Sequence, residues 1–139
     1  MEYRMFGSDC VVRLNKGEEV IEAVTELCRN ENIKLASVTG IGAIDHAVLG
    51  LFRVSDKKYI KNTFDCNLEI ASLVGNVSRK DGEVYLHFHA VVSDENGNAF
   101  GGHLSEAKIS ATAEIVLHIV DGEVGRRFDE DTGLNLLKF

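Results

Sequence analysis

Proline is absent from the chain, and the only cysteines among its 139 residues are Cys10, Cys28 and Cys66. Without proline there can be no minor-groove hook of the Gly-Arg-Pro kind. Three widely spaced cysteines with no Cys-x-x-Cys pair exclude a zinc ribbon and offer no disulfide framework, so three buried free thiols in a reducing compartment are expected. Apolar runs are short: none approaches the roughly 20 residues of a membrane-spanning helix, and Met1-Glu2-Tyr3-Arg4-Met5 lacks the apolar core of a secretory leader. A cytoplasmic protein with no membrane partner is therefore predicted. Positive charge is scarce too, with 15 Lys and Arg against 22 Asp and Glu and a net charge of −7. Affinity for nucleic acid rests largely on neutralising phosphates, which an acidic chain does poorly.

What is present is an ordinary globular composition, 45% apolar and 27% charged, with no repeat, low-complexity segment or linker. A chain of this size can bury roughly two thirds of its unfolded surface, so one domain over residues 1–139 is expected. Residues 3–15 read as a strand ended by Asn15-Lys16-Gly17. One clear helix is predicted from Glu18 to Asn30, because Val20, Val24, Leu27 and Cys28 fall at i, i+4, i+7 and i+8. Glu18 and Glu19 would sit in its first turn and Arg29 in its last, as the helix dipole favours.

Lys34 to Gly40 and Ala43 to Val54 read as strands on either side of Gly40-Ile41-Gly42. That triplet resembles part of a dinucleotide-binding loop, but Asp45 stands where the third glycine belongs and no helix follows, so a turn or bulge is expected. Lys57 to Lys61 would fold back on the preceding strand through Ser55-Asp56. Arg53, Lys57, Lys58 and Lys61 form the only basic cluster, read as a charged sheet edge that discourages further pairing, with anion binding as the alternative. Asn67 to Ser78 is apolar on both faces and hence central. Inside it Glu69 needs either solvent, an arginine, or a functional partner, in which case it would serve as general base or as an orienting group beside a metal centre. Ala107 to Val120 is another long strand, His46 and His118 read as structural, and Leu134 to Phe139 ends the chain in a strand-like run. The whole is one mostly β domain with one helix.

The chemistry is concentrated in Val84-Tyr85-Leu86-His87-Phe88-His89-Ala90-Val91-Val92 and, after a polar turn, Phe100-Gly101-Gly102-His103-Leu104. Strand alternation puts His87 and His89 on one face with Cα atoms roughly 7 Å apart, opposite the apolar row Val84, Leu86, Phe88, Ala90 and Val92. Asn96-Gly97 supplies a hairpin reversal. Centred on Asn96, that hairpin sets His103 across from His89, where directly opposed Cβ atoms lie about 4.5–5.5 Å apart on the same face. Three imidazoles would then surround one point, the nitrogen set of a zinc site with a fourth position open. Gly101-Gly102 is the weak joint, since one inserted residue would turn His103 to the other face.

Taken in order, Ser37-Val38-Thr39-Gly40-Ile41-Gly42-Ala43, the segment Leu68-Glu69-Ile70-Ala71-Ser72-Leu73-Val74-Gly75-Asn76, His87-Phe88-His89, Gly101-Gly102-His103-Leu104 and Asp131-Thr132-Gly133-Leu134 resemble the PPC family, the plant-and-prokaryote conserved domain that plants join to AT-hooks. The resemblance spans nearly the whole chain. It implies an α+β fold with a mixed, mainly antiparallel sheet and a homotrimer. Its three-histidine pattern, matched by His87, His89 and His103, implies binding of a divalent metal, with zinc the expected ion. Prokaryotic single-domain members carry the label predicted DNA-binding protein, although the hook itself cannot be carried over to a chain without proline. The family brings no established reaction. Three readings are open: a divalent-metal site, catalytic or not, with Glu69 its general base; a DNA-binding or regulatory protein; and a trimeric scaffold or small-molecule binder.

Overall fold

The computed structural model describes all 139 residues. Nine strands and one helix follow in the order β1 (Glu2–Phe6), β2 (Asp9–Asn15), α1 (Val20–Asn30), β3 (Ala36–Arg53), β4 (Lys58–Phe64), β5 (Leu68–Lys80), β6 (Glu83–Ser93), β7 (Ala99–Ile119), β8 (Gly125–Asp129) and β9 (Leu134–Lys138). Every ladder is antiparallel except the single bridge Arg79 to Gly125 between β5 and β8, so the sheet is mixed as expected. β3 pairs with β5 and β7, and β6 pairs with the same two strands. These four strands therefore hydrogen-bond in a closed ring, which leaves no free edge around the middle of the molecule.

Several sequence boundaries move, each for a local reason. The single strand expected over residues 3–15 is a hairpin, because Gly7 takes φ +61° and lets Phe6 pair with Asp9. The helix begins at Val20 rather than Glu18: Glu19 is its cap, with one carboxylate oxygen accepting from the Glu22 N–H at 2.7 Å and the other from the Ala107 N–H at 2.8 Å. One side chain thus closes the helix N-terminus and ties it to β7. Glu18 lies outside the helix, where it accepts from the Asn15 N–H and pairs with the chain's amino terminus.

The strands expected on either side of Gly40-Ile41-Gly42 are one strand with a bulge between Gly40 and Gly42. A Cβ on Gly42 would stand 2.6 Å from that of Ala113, so glycine is required there by close approach of β7 and not by a phosphate. The segments around His103 and Ile109 likewise join into the single strand β7. Twenty-seven buried side chains form one contiguous cluster, which is why the chain makes one domain. Val20, Val24, Leu27 and Cys28 of α1 enter it as the helical spacing requires, and Phe88, Ala90 and Val92 enter it from one face of β6. The other face of β6 is left to the histidines.

Candidate metal centre

The turn between β6 and β7 is built by Asp94. Its carboxylate accepts from the backbone N–H groups of Asn96 and Asn98, each at 2.9 Å, and from the Asn98 side-chain amide at 2.9 Å. Those bonds, led by the one from Asn98, hold its pKa below the usual carboxylate value. Gly97 supplies the positive φ of +79°. From this turn the ladder runs without a slip from Ser93 opposite Ala99 to His89 opposite His103. No bulge occurs at Gly101-Gly102, and all three imidazoles share a face.

The ligating nitrogens of His87, His89 and His103 lie within 4.8 Å of one another, and their ring centroids are 5.2, 5.3 and 5.7 Å apart. In a tetrahedral zinc site two bound nitrogens lie about 3.4 Å apart, so the widest-spaced pair has to draw in by roughly 1.4 Å, a closure that small rotations of both rings within their rotamer wells supply. No protein hydrogen bond ties any of the three rings. Tyr59 meets His103 edge-on at 5.9 Å, and it can lie across β3 only because residue 50, the ladder partner of His103, is glycine. A Cβ there would stand 2.0 Å from the phenol oxygen.

Burial pushes the pKa of His87 below the ordinary imidazole value, and the nearby His103, Arg126 and His89 add repulsion. His103 is lowered for the same first reason, with His89 contributing. Both shifts favour neutral rings near pH 7, the form that binds a metal. A donor set of imidazole nitrogens without a carboxylate suits zinc and its first-row neighbours and does not suit calcium or magnesium.

The triad opens into a cavity of about 720 Å³. Asn76 and Tyr85 flank the histidines, Leu51 and Phe52 come from β3, and Leu134, Leu136 and Leu137 of β9 form the opposite wall. Arg126 reaches in from β8. Its Nε donates to Ser78 Oγ at 2.8 Å, Nη1 to the Asn135 carbonyl at 2.8 Å and Nη2 to Asn76 Oδ1 at 2.9 Å, and the guanidinium carbon lies 4.5 Å from the centre of the Tyr85 ring. Sequence reasoning missed this arginine. Strand alternation separates Arg126 from Arg127, but a five-residue strand offers no apolar row to show which of the two faces inward.

The other candidates lie elsewhere. Glu69 is exposed near the start of β5, opposite Ala43 and Ser93, and is not among the residues that line the cavity. The role of general base beside the metal is therefore corrected: alternation turns its carboxylate to solvent, which satisfies it without a partner. His46 sits between Asp65, 2.5 Å away, and Glu106, 3.4 Å away, and His118 pairs with Asp9 at 2.8 Å; neither lines the cavity. The basic cluster lies at the hairpin of β3 and β4, where Arg53 is held by Asp56 and Lys57 donates to the Glu130 carbonyl. β4 pairs with β3 alone and so is an edge.

The Plants and Prokaryotes Conserved (PCC) domain is the family whose model matches, over residues 1–121. Among solved structures, a protein from Bacteroides thetaiotaomicron described provisionally as DNA-binding is 33% identical, with 99% of this chain and 96% of that one covered and a TM-score of 0.97. A metal-containing protein from Archaeoglobus fulgidus is 34% identical over 99% of this chain and 97% of its own, with a TM-score of 0.88. A plant- and prokaryote-conserved protein from Pyrococcus horikoshii is 32% identical over 99% and 95%, also with a TM-score of 0.88. No protein with a curated description matches the sequence.

Proposed function

This chain belongs to the Plants and Prokaryotes Conserved domain family, and from that premise we propose that it is a metalloprotein whose working centre is a divalent ion, zinc, held by His87, His89 and His103. The observation that carries the reading is the convergence of three imidazoles, none tied by a protein hydrogen bond, in the wall of a cavity. An archaeal relative that is itself metal-containing adds support. A zinc ion in a three-nitrogen site supplies Lewis-acid polarisation of an oxygen atom on whatever binds there. The protein's own part is to favour neutral His87 and His103 by partial burial and to wall the site with leucines.

The test is elemental analysis of protein purified without an affinity tag. About one zinc per chain is expected, with His87→Ala, His89→Ala and His103→Ala each losing it. Zinc at roughly 100 times its Kd should stabilise the wild type by about 2.7 kcal/mol and leave the variants unmoved. No stoichiometric metal, or equal uptake by the variants, sinks the reading.

The assembly we propose is the homotrimer, and the half-exposed Ile41, Val74 and Val116 support it by lining one hollow on the face that also bears His89, the ladder partner of Val74. Light scattering that returns the mass of a single chain excludes it. DNA binding, the description given to some relatives, has less behind it: the net charge is −7 and the one basic cluster is partly neutralised by Asp56. A titration with duplex DNA that shows a steep salt dependence would restore it.

A further inference from the structure

Resting on the metal-centre reading and asking what that centre receives, we infer that the cavity is a receptor for a small organic oxyanion, a carboxylate or phosphate on an apolar body, whose head group is gripped by Arg126 beside the three histidines. Arg126 lies in β8, beyond residue 121 where the family match ends.

The charge of the cavity comes first. The chain as a whole carries seven more negative than positive side chains, yet no Asp or Glu lines this cavity. Arg126 has no acidic side chain within 4 Å, and its three protein acceptors, Ser78, Asn76 and the Asn135 carbonyl, are all neutral. A half-buried guanidinium without a counter-ion is costly, and a metal ion close by would raise the positive charge further. An anion relieves both.

The donors come second. A guanidinium has five N–H groups, and the three bonds use one each on Nε, Nη1 and Nη2, which leaves one N–H on each Nη nitrogen. That remaining pair matches the two oxygens of a carboxylate or phosphate. The same three bonds, together with the Tyr85 ring against one face, fix the plane of the fork before any ligand arrives. The rest of the wall, Leu51, Phe52 and the β9 leucines, is apolar and asks for a hydrocarbon body.

Calorimetric titration of zinc-loaded and metal-free protein with hexanoate, hexyl phosphate and hexanamide tests the inference, the two anions separating carboxylate from phosphate. At least one anion should bind ten-fold or more tighter than the neutral amide. Arg126→Gln should lose at least ten-fold of that affinity with hexanamide unaffected and zinc content per chain unchanged. Arg126-dependent anion preference in a protein that takes up no zinc would keep the receptor and remove the metal reading. Equal binding of anion and amide, or unchanged anion affinity in Arg126→Gln, overturns it. Should Arg126→Gln fail to fold, the comparison of anion with amide in metal-free wild type still decides, because it needs neither the variant nor the ion.

Discussion

Two adjacent glycines before His103 should respond to the same mutation with opposite signs. A Cβ on Gly101 would meet nothing closer than the Ala90 carbonyl at 3.4 Å and Val91 Cγ2 at 3.5 Å, which is ordinary contact. A Cβ on Gly102 would stand 2.7 Å from the Gly50 carbonyl oxygen and 3.2 Å from its nitrogen. Both obstacles are backbone, so no rotamer change relieves them, and β7 must move off β3 by about 0.7 Å to restore contact at 3.4 Å. Gly101→Ala removes unfolded-chain entropy at no steric cost and should stabilise by about 0.4–1 kcal/mol. Gly102→Ala should destabilise by about 1–3 kcal/mol, the usual range for forcing volume into a packed interior. In a chain of this size those changes correspond to roughly 1–3 °C upward and 3–10 °C downward in Tm. Because the three rings already have to draw in to reach one ion, the displacement at Gly102 carries His103 further from closure and should weaken zinc binding ten-fold or more, while Gly101→Ala leaves it intact. Urea unfolding and a competition assay with a zinc chelator read both quantities. Equal destabilisation by the two variants, or full zinc affinity in Gly102→Ala, would refute the claim that the β3 to β7 approach at Gly50 positions His103.

His46 should give a measurable pH dependence of stability. The hydrogen bond to Asp65 is the main cause of its raised pKa; burial, the next largest influence, opposes it, and Glu106 adds to the rise. A raised folded pKa means the contribution is fully present below pH about 6.5 and is lost as pH rises through the folded value. The wild type should therefore lose stability relative to His46→Gln between pH 6 and 9, by under about 1 kcal/mol because the pair is solvent-screened. The difference between the two proteins isolates His46, since His87 and His103 titrate in both; a flat difference rejects the assignment. Burial pushes the Cys28 thiol up to about 12 and raises Cys10 as well, whereas Cys66 is exposed, which corrects the expectation of three buried thiols. An aromatic disulfide reagent at pH 8 should titrate one thiol in the native protein and three after denaturation, and a second fast thiol would contradict the burial of the other two.

Local sequence determined a good deal. Alternation in β6 placed His87 and His89 together and opposite Phe88, the Asn96-Gly97 turn counted residues so that His103 met His89, and the spacing of Val20, Val24, Leu27 and Cys28 drew the helix. These are short-range consequences of backbone geometry and turn chemistry, which neighbouring residues carry by themselves. Tertiary structure decided the rest: that β3 runs on through its glycines because Ala113 lies against Gly42, that Gly102 holds register against Gly50, that Glu69 faces solvent, and that Arg126 enters the histidine cavity. Each depends on a segment tens of residues away, and chain-local patterns hold no record of which distant backbone will arrive.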